Sequence, residues 1–207
     1  MSNLSSSKRS RSGKSVDKWS LKNLYNILSP EDLDLGPGSK GAPVGETIGS
    51  EEENLKGRII EVPLSDLAHK FSLIYSKVQF KVVDVVGGSC KTKFVGHSFA
   101  SDYVRSLVKR RRTRIDWIGV VRTKDDVDLR LTVTALTMRR AKTSRKHSVR
   151  LELEELILKV ASEMNFNEFV NYMLVGNLNT ELFEVCRKVY PTAQVEVQKS
   201  KVLTKWV

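Results

Sequence analysis

Residues 77–82 alternate polar and apolar at period two, and Val83 and Val85 carry the run onward. Gly87-Gly88 then supplies a tight turn, and residues 90–95 return. A hairpin with one apolar face must bury that face, so 77–95 reads as a hairpin packed against a core. Other segments join it. Residues 58–62 are β-branched, and Pro63 limits them to a sheet edge or a strand end. Residues 115–123 and 129–136 read as two strands around the polar turn Lys124-Asp125-Asp126-Val127-Asp128. Between them and the hairpin, Ser101-Asp102 starts a helix over 101–112, with Tyr103, Val104, Leu107 and Val108 as its apolar stripe.

The last third reads as helical. Val149, Leu153, Leu156, Ile157, Val160 and Met164 fall on one face of a long helix. Asn165 with Glu168 has the spacing of a capping box and opens a second helix, which Gly176 suits as a C-terminal cap. A third helix runs through Leu182, Phe183, Cys186 and Val189 and stops before Pro191. Ala193, Val195 and Val197 alternate in a final short strand. Towards the start, residues 1–18 are Ser-rich and basic with almost no large apolar group, the composition of a disordered arm. Residues 19–29 are expected to strap onto the core, and 30–54, with three prolines, five glycines and Glu51-Glu52-Glu53, to form a long surface loop. The expected organisation is an arm over 1–18, a globular unit over 19–190 (β-rich at 55–138, helical at 144–190) and a strand and tail over 191–207. The class is α+β.

Charge is distributed unevenly. The chain of 207 residues carries 35 Lys and Arg against 24 Asp and Glu. The windows 8–18, 105–114 and 139–150 hold 17 of the basic residues and one acid, leaving the other 174 positions with a net charge of −5. Clusters of this kind repel themselves unless a polyanion or solvent screens them, and three of them on a mildly acidic body point to nucleic acid.

Signals for other functions are weak. No stretch approaches 18 uninterrupted apolar residues, so no membrane span is expected, and the basic start has no apolar segment behind it to make a secretory signal. Gly87-Gly88-Ser89-Cys90-Lys91-Thr92 lacks the spacing of a phosphate loop and is better explained by the hairpin turn. His69, His97 and His147 have no metal-ligand spacing and are expected as ordinary loop or surface residues. Asp125, Asp126 and Asp128 suit a turn, with no further acid at cation-site spacing. Cys90 and Cys186 are expected to pack as small hydrophobes in a reducing compartment. No cofactor, metal, membrane or small-molecule substrate is expected, and no enzymatic activity.

The basic windows then become the candidate site. Lys109-Arg110-Arg111-Arg112 is expected near the end of helix 101–112. Cations there complement the helix dipole by about 0.3–1 kcal/mol each, yet four in succession surround the helix and several must face outward together. In 139–150, Arg145, Lys146 and Arg150 lie near a helix start if Thr143 or Ser144 caps it, where cations oppose the dipole and an external anion would resolve the conflict. If the helix begins near Val149 instead, these residues occupy a solvated loop. The residues expected to contact nucleic acid are Lys8, Arg9, Arg11 and Lys14 of the arm, with Trp19 as a stacking candidate beside it; Arg105, Lys109, Arg110, Arg111, Arg112 and Arg114; and Arg139, Arg140, Lys142, Arg145, Lys146 and Arg150. With no signature of base readout, recognition of backbone and shape is expected.

A series of segments in order and spacing carries a family resemblance. They are 55–67 (LKGRIIEVPLSDL), 80–85 (FKVVDV), 92–97 (TKFVGH), 102–111 (DYVRSLVKRR), 129–137 (LRLTVTALT), 139–144 (RRAKTS) and 189–191 (VYP). Over roughly 17–203 the chain resembles the small-subunit ribosomal protein S one e family, also called S three a e, of archaea and eukaryotes, closest to its archaeal form. Asn23-Leu24-Tyr25 keeps only the Tyr of the family's aromatic pair, Asp126 stands where Gly is common, and the loop 35–45 looks longer. The resemblance implies a barrel-like, mostly antiparallel β core with packed helices. It implies a non-enzymatic component of the platform of the small ribosomal subunit, cytoplasmic and within the ribosome. Expected partners are small-subunit ribosomal RNA near the messenger exit and neighbouring platform proteins, with messenger RNA and initiation factors as further candidates. A non-ribosomal RNA-binding factor is one rival reading. An RNA-processing enzyme dependent on His97 or Asp125 is another.

Overall fold

The structure is a computed structural model that describes residue 19, residues 22–35 and residues 38–204. In chain order the strands are β1 (Asn23–Leu28), β2 (Pro43–Gly49), β3 (Ile59–Pro63), β4 (Ser76–Val86), β5 (Ser89–Phe99), β6 (Arg114–Arg122), β7 (Asp128–Thr137) and β8 (Thr192–Val202). The helices are α1 (Leu64–Ala68), α2 (Ser101–Leu107), α3 (Thr143–Glu163), α4 (Phe166–Val175) and α5 (Asn177–Val189). Short 3-10 turns occupy Glu53–Leu55 and Phe71–Leu73.

The hairpin legible in the sequence is the spine of the sheet. β4 and β5 pair antiparallel from Ser76↔Phe99 to Val86↔Ser89. Gly87 and Gly88 both take positive φ, 59° and 82°, which a tight hairpin turn requires. The far edge of β5 is divided. Its start pairs parallel with β1 (Asn26↔Ser89), and its end pairs antiparallel with β8 (Gly96↔Lys201). From there the order runs β8, β7, β6, while β2 flanks β1 and β3 flanks β4. Pro63 ends β3, which among the described strands pairs with β4 alone, as an edge strand with a proline must. Among the described residues the sheet does not close on itself. One buried cluster nevertheless joins Val62, Val78, Phe80 and Phe94 to Ile115, Trp117, Leu131 and Val197 and to the helices, so the molecule has a barrel-like core without a closed ladder.

The helices cover the inner face of that sheet. Val149, Leu153, Ile157 and Ala161 recur along α3 and are buried. Asn165 and Glu168 form the expected capping box at the start of α4, and Gly176 ends it with φ 96°. Asp125, in the β6–β7 turn, accepts the Phe166 N–H at 2.9 Å and so helps cap the same helix. A smaller cluster of Tyr25, Ile27, Leu55, Val82, Val85 and Cys90 lies under β1. Cys90 and Cys186 are both buried and free, as expected of small hydrophobes.

Several expectations need correction. Residues 30–54 are not one long loop: β2 forms within them and pairs with β1. The β2 sequence PVGETIG lacks a clean apolar alternation because most of its residues face solvent on a sheet edge. β8 is no short terminal strand. It spans eleven residues and lies between β5 and β7. α2 ends at Leu107 rather than 112, for a reason given below. His97 is not a loop or surface residue. It lies buried in β5 with Nε2 2.7 Å from Ser76 Oγ, and its Nδ1 has no partner among the described residues.

Candidate nucleic-acid interface

The two basic windows of the described chain meet through a pair of buried threonines. Thr113 lies between Arg112 and Arg114, and Thr137 ends β7 just before Arg139. The Thr113 N–H donates to Thr137 Oγ1 at 3.0 Å, and the Thr137 N–H donates to the Thr113 carbonyl at 3.0 Å. The Thr137 hydroxyl donates onward to the Arg139 carbonyl, and the Ala141 N–H donates to Thr113 Oγ1 at 3.0 Å. A third segment locks the joint. The Tyr190 hydroxyl donates to the Arg140 carbonyl at 2.9 Å, and the Met138 N–H donates to the Pro191 carbonyl at 2.9 Å. Buried backbone groups must be satisfied, and here they are satisfied across segments. The loop 108–113 and the loop 138–142 are therefore held side by side.

This joint also explains why α2 stops early. Its apolar stripe continues to Val108, but a helix through 112 would carry Thr113 away from Thr137. The chain instead leaves the helix at Val108 and turns, with the Arg112 N–H bonded to the Lys109 carbonyl at 3.3 Å. Arg111 takes φ 64°, a left-handed conformation that costs a non-glycine residue about 1–2 kcal/mol. The dipole of α2 thus has only Arg105 in its last turn, and Lys109 to Arg112 stand in a loop beyond it.

α3 begins at Thr143, with Lys142 at the N-cap position. Neither Thr143 nor Ser144 caps it: among the described residues no side chain bonds the first-turn amides, and that turn holds no acid. Arg145 and Lys146 therefore sit in the first turn of a true helix, not in a loop before Val149. Their charges oppose the dipole, and among the described residues no side chain caps the amides beside them, an arrangement that suits an anion.

Not every basic residue is available. Arg114 Nε lies 2.7 Å from Asp116 Oδ1, and its Nη2 donates to Gln198 Oε1 at 3.0 Å. Arg150 donates from Nε to the Asp116 carbonyl at 3.0 Å and forms no ion pair among the described residues. Arg105 and Asp102 approach to 3.9 Å at a highly exposed surface, worth at most about 1 kcal/mol. Lys109, Arg110, Arg111, Arg112, Arg139, Arg140, Lys142, Arg145 and Lys146 form no ion pair among the described residues. Trp19 is exposed, with Lys22 Nζ 4.3 Å from its ring centroid, away from the β7–α3 corner in sequence. Lys8, Arg9, Arg11 and Lys14 lie outside the described residues. Thr113, Thr137 and Tyr190 were invisible as site residues in the sequence, since a lone threonine inside an arginine run carries no signal.

No group of three or more His, Cys, Asp or Glu suited to a metal occurs among the described residues, and no helix there is long and apolar enough to cross a membrane. His97 and Asp125 have structural work, one in the sheet interior and one as a helix cap.

Comparison with known proteins gives a consistent result. The model of the Ribosomal S3Ae family matches residues 10–205. A protein of Methanoregula boonei named small ribosomal subunit protein eS1 is 35% identical over 195 residues, covering 94% of each chain. Proteins of the same name from Desulfurococcus amylolyticus and Methanobrevibacter smithii are 36% and 37% identical, each over 90% of this chain and over 85% and 94% of their own.

Proposed function

The chain belongs to the Ribosomal S3Ae family, and from that premise we propose that it is a structural component of the small ribosomal subunit that grips ribosomal RNA with the corner built by Thr113 and Thr137. The observation that carries this reading is the joint itself. It brings two arginine-rich loops and the start of α3 together on a body that is otherwise net acidic, and it leaves most of their cations without acidic partners. Such a surface neutralises phosphates and releases their counterions. No base-reading motif accompanies it, so the corner follows the shape of a folded RNA rather than its sequence.

The division of labour follows from the fold. The β core and α3 to α5 hold the cations at fixed separation, while residues 1–18, basic and rich in serine, extend the same charge to a second stretch of RNA. Trp19, exposed beside that segment with Lys22 over its ring, is the stacking candidate for a base. In keeping with the names of its relatives, the protein works within the ribosome and has no catalytic task. Its place on the platform near the messenger exit, beside neighbouring platform proteins, messenger RNA and initiation factors, is part of the same proposal.

Co-sedimentation tests it. The chain should travel with small subunits through a gradient at high salt, at one copy per particle. A chain that is stripped to the top of the gradient, or that travels with other RNA alone, would be a non-ribosomal RNA-binding factor.

A further inference from the structure

A second basic surface lies on the outer face of the sheet, outside the three basic windows of the sequence. Residues directly opposite in paired strands share a face, so the registers give its layout. One row across the sheet runs Val120, Arg130, Lys201, Gly96, Gln79 and Glu61 from β6 to β3. The next row runs Ile118, Thr132, Lys199, Ser98, Lys77 and Pro63. Arg130, Lys199 and Lys201 are exposed and form no ion pair among the described residues.

Arg130 directly opposes Lys201, and like charges in that position destabilise a ladder. Most of the acids nearby are engaged elsewhere, while Glu154 of α3 lines the groove with Ile118 and Val120 at the β6 edge. Asp128 holds Arg122 at 3.1 Å, Asp116 holds Arg114, and Glu61 at the far edge accepts from Gln79 at 2.8 Å. Gly96 keeps the centre of the face low, since a Cβ there would lie 2.6 Å from the Ser200 carbonyl oxygen. The neighbouring Ile118 and Val120 are 59% and 53% exposed. The patch is also continuous with the corner described above, because Gln198, next to Lys199, accepts from Arg114.

We infer that this outer face is a second contact for the phosphodiester backbone of RNA, centred on Arg130, Lys199 and Lys201 and separate from the Thr113–Thr137 corner. The inference extends the proposed function and depends on it. Three uncompensated cations without an aromatic residue among them suit phosphates, not stacked bases. Continuity with the corner favours RNA over an acidic polypeptide, because one folded RNA can lie across both surfaces.

The test uses the full chain and a transcript of small-subunit ribosomal RNA from the same genome. Binding is measured over a range of salt concentrations for the wild type, for a face variant (Arg130→Gln, Lys199→Gln, Lys201→Gln) and for a corner variant (Arg139→Gln, Arg140→Gln, Arg145→Gln). Each lost phosphate contact lowers the slope of log affinity against log salt by about 0.7–0.9, so the face variant should lose about 2 to 3. A face variant with the wild-type slope beside a corner variant with a reduced one overturns this inference alone. A wild type without salt-dependent binding overturns the function beneath it as well. A photo-crosslinking residue at Val120 of the otherwise intact chain gives a readout independent of the variants' folding. In assembled particles it should attach to RNA, and attachment to protein alone, or to nothing, overturns the inference.

Discussion

Burial holds the His97 imidazole neutral and pulls its pKa from 6.5 down to about 4. In the unfolded chain the same ring takes up a proton near pH 6.5, so acid favours unfolding. The contribution of His97 to stability is fully present above pH 6.5 and is lost as the pH falls toward 4, by about 3 kcal/mol in all. Chemical denaturation at pH 7.5 and pH 4.5 should show that loss, and His97→Gln, which can still bond Ser76, should show a smaller one; equal losses in both chains would refute the assignment. Gly96 offers a second test at this scale. Its missing Cβ would press on the Ser200 carbonyl, so Gly96→Ala should force β5 and β8 apart and cost about 1–3 kcal/mol. Gly45, with nothing within 4 Å of its Cβ position and no positive φ, is the matched control, and Gly45→Ala should change the melting temperature little.

At the level of elements, what the sequence revealed and what it hid have different physical origins. The β4–β5 hairpin and α3 to α5 were legible because their side chains follow the period of their own backbone and their turns carry the residues those turns need, Gly87-Gly88, Asn165 with Glu168, and Gly176. β2 was not, because an exposed edge strand has little apolar face to display. The end of α2 was not legible either, since tertiary hydrogen bonds overrode the local pattern. The two basic windows could be read as charge, but their meeting at Thr113 and Thr137 depends on contacts 24 residues apart. Thr137→Val keeps the shape and removes the hydroxyl that accepts the buried Thr113 N–H. It should cost about 1–3 kcal/mol and also weaken RNA binding, although no charge has changed. A variant that is destabilised yet binds RNA as tightly as the wild type would show that the joint does not position the loops. Asn165→Ala, which breaks the α4 capping box far from the corner, should cost about 1 kcal/mol in thermal unfolding and leave RNA binding as it is.

The whole molecule separates two tasks in space. An acidic body folds around an apolar core, two of the three basic windows meet at one corner, and by our inference a further basic patch lies across the outer sheet face. Self-repulsion among those cations is a cost the isolated chain bears in dilute salt and a bound polyanion removes. Isolated protein should therefore gain thermal stability from added polyanion, with the gain shrinking as salt rises. The most direct trial of the account is incorporation of an Arg139→Glu, Arg140→Glu, Arg145→Glu chain into small subunits, quantified by mass spectrometry of purified particles against the wild-type copy number. The three arginine side chains are exposed and form no ion pair among the described residues, and the Arg139 and Arg140 carbonyls that accept from Thr137 and Tyr190 are kept, so the variant should fold as the wild type does by circular dichroism yet be largely missing from the particles. A folded variant present at one copy per subunit would contradict it.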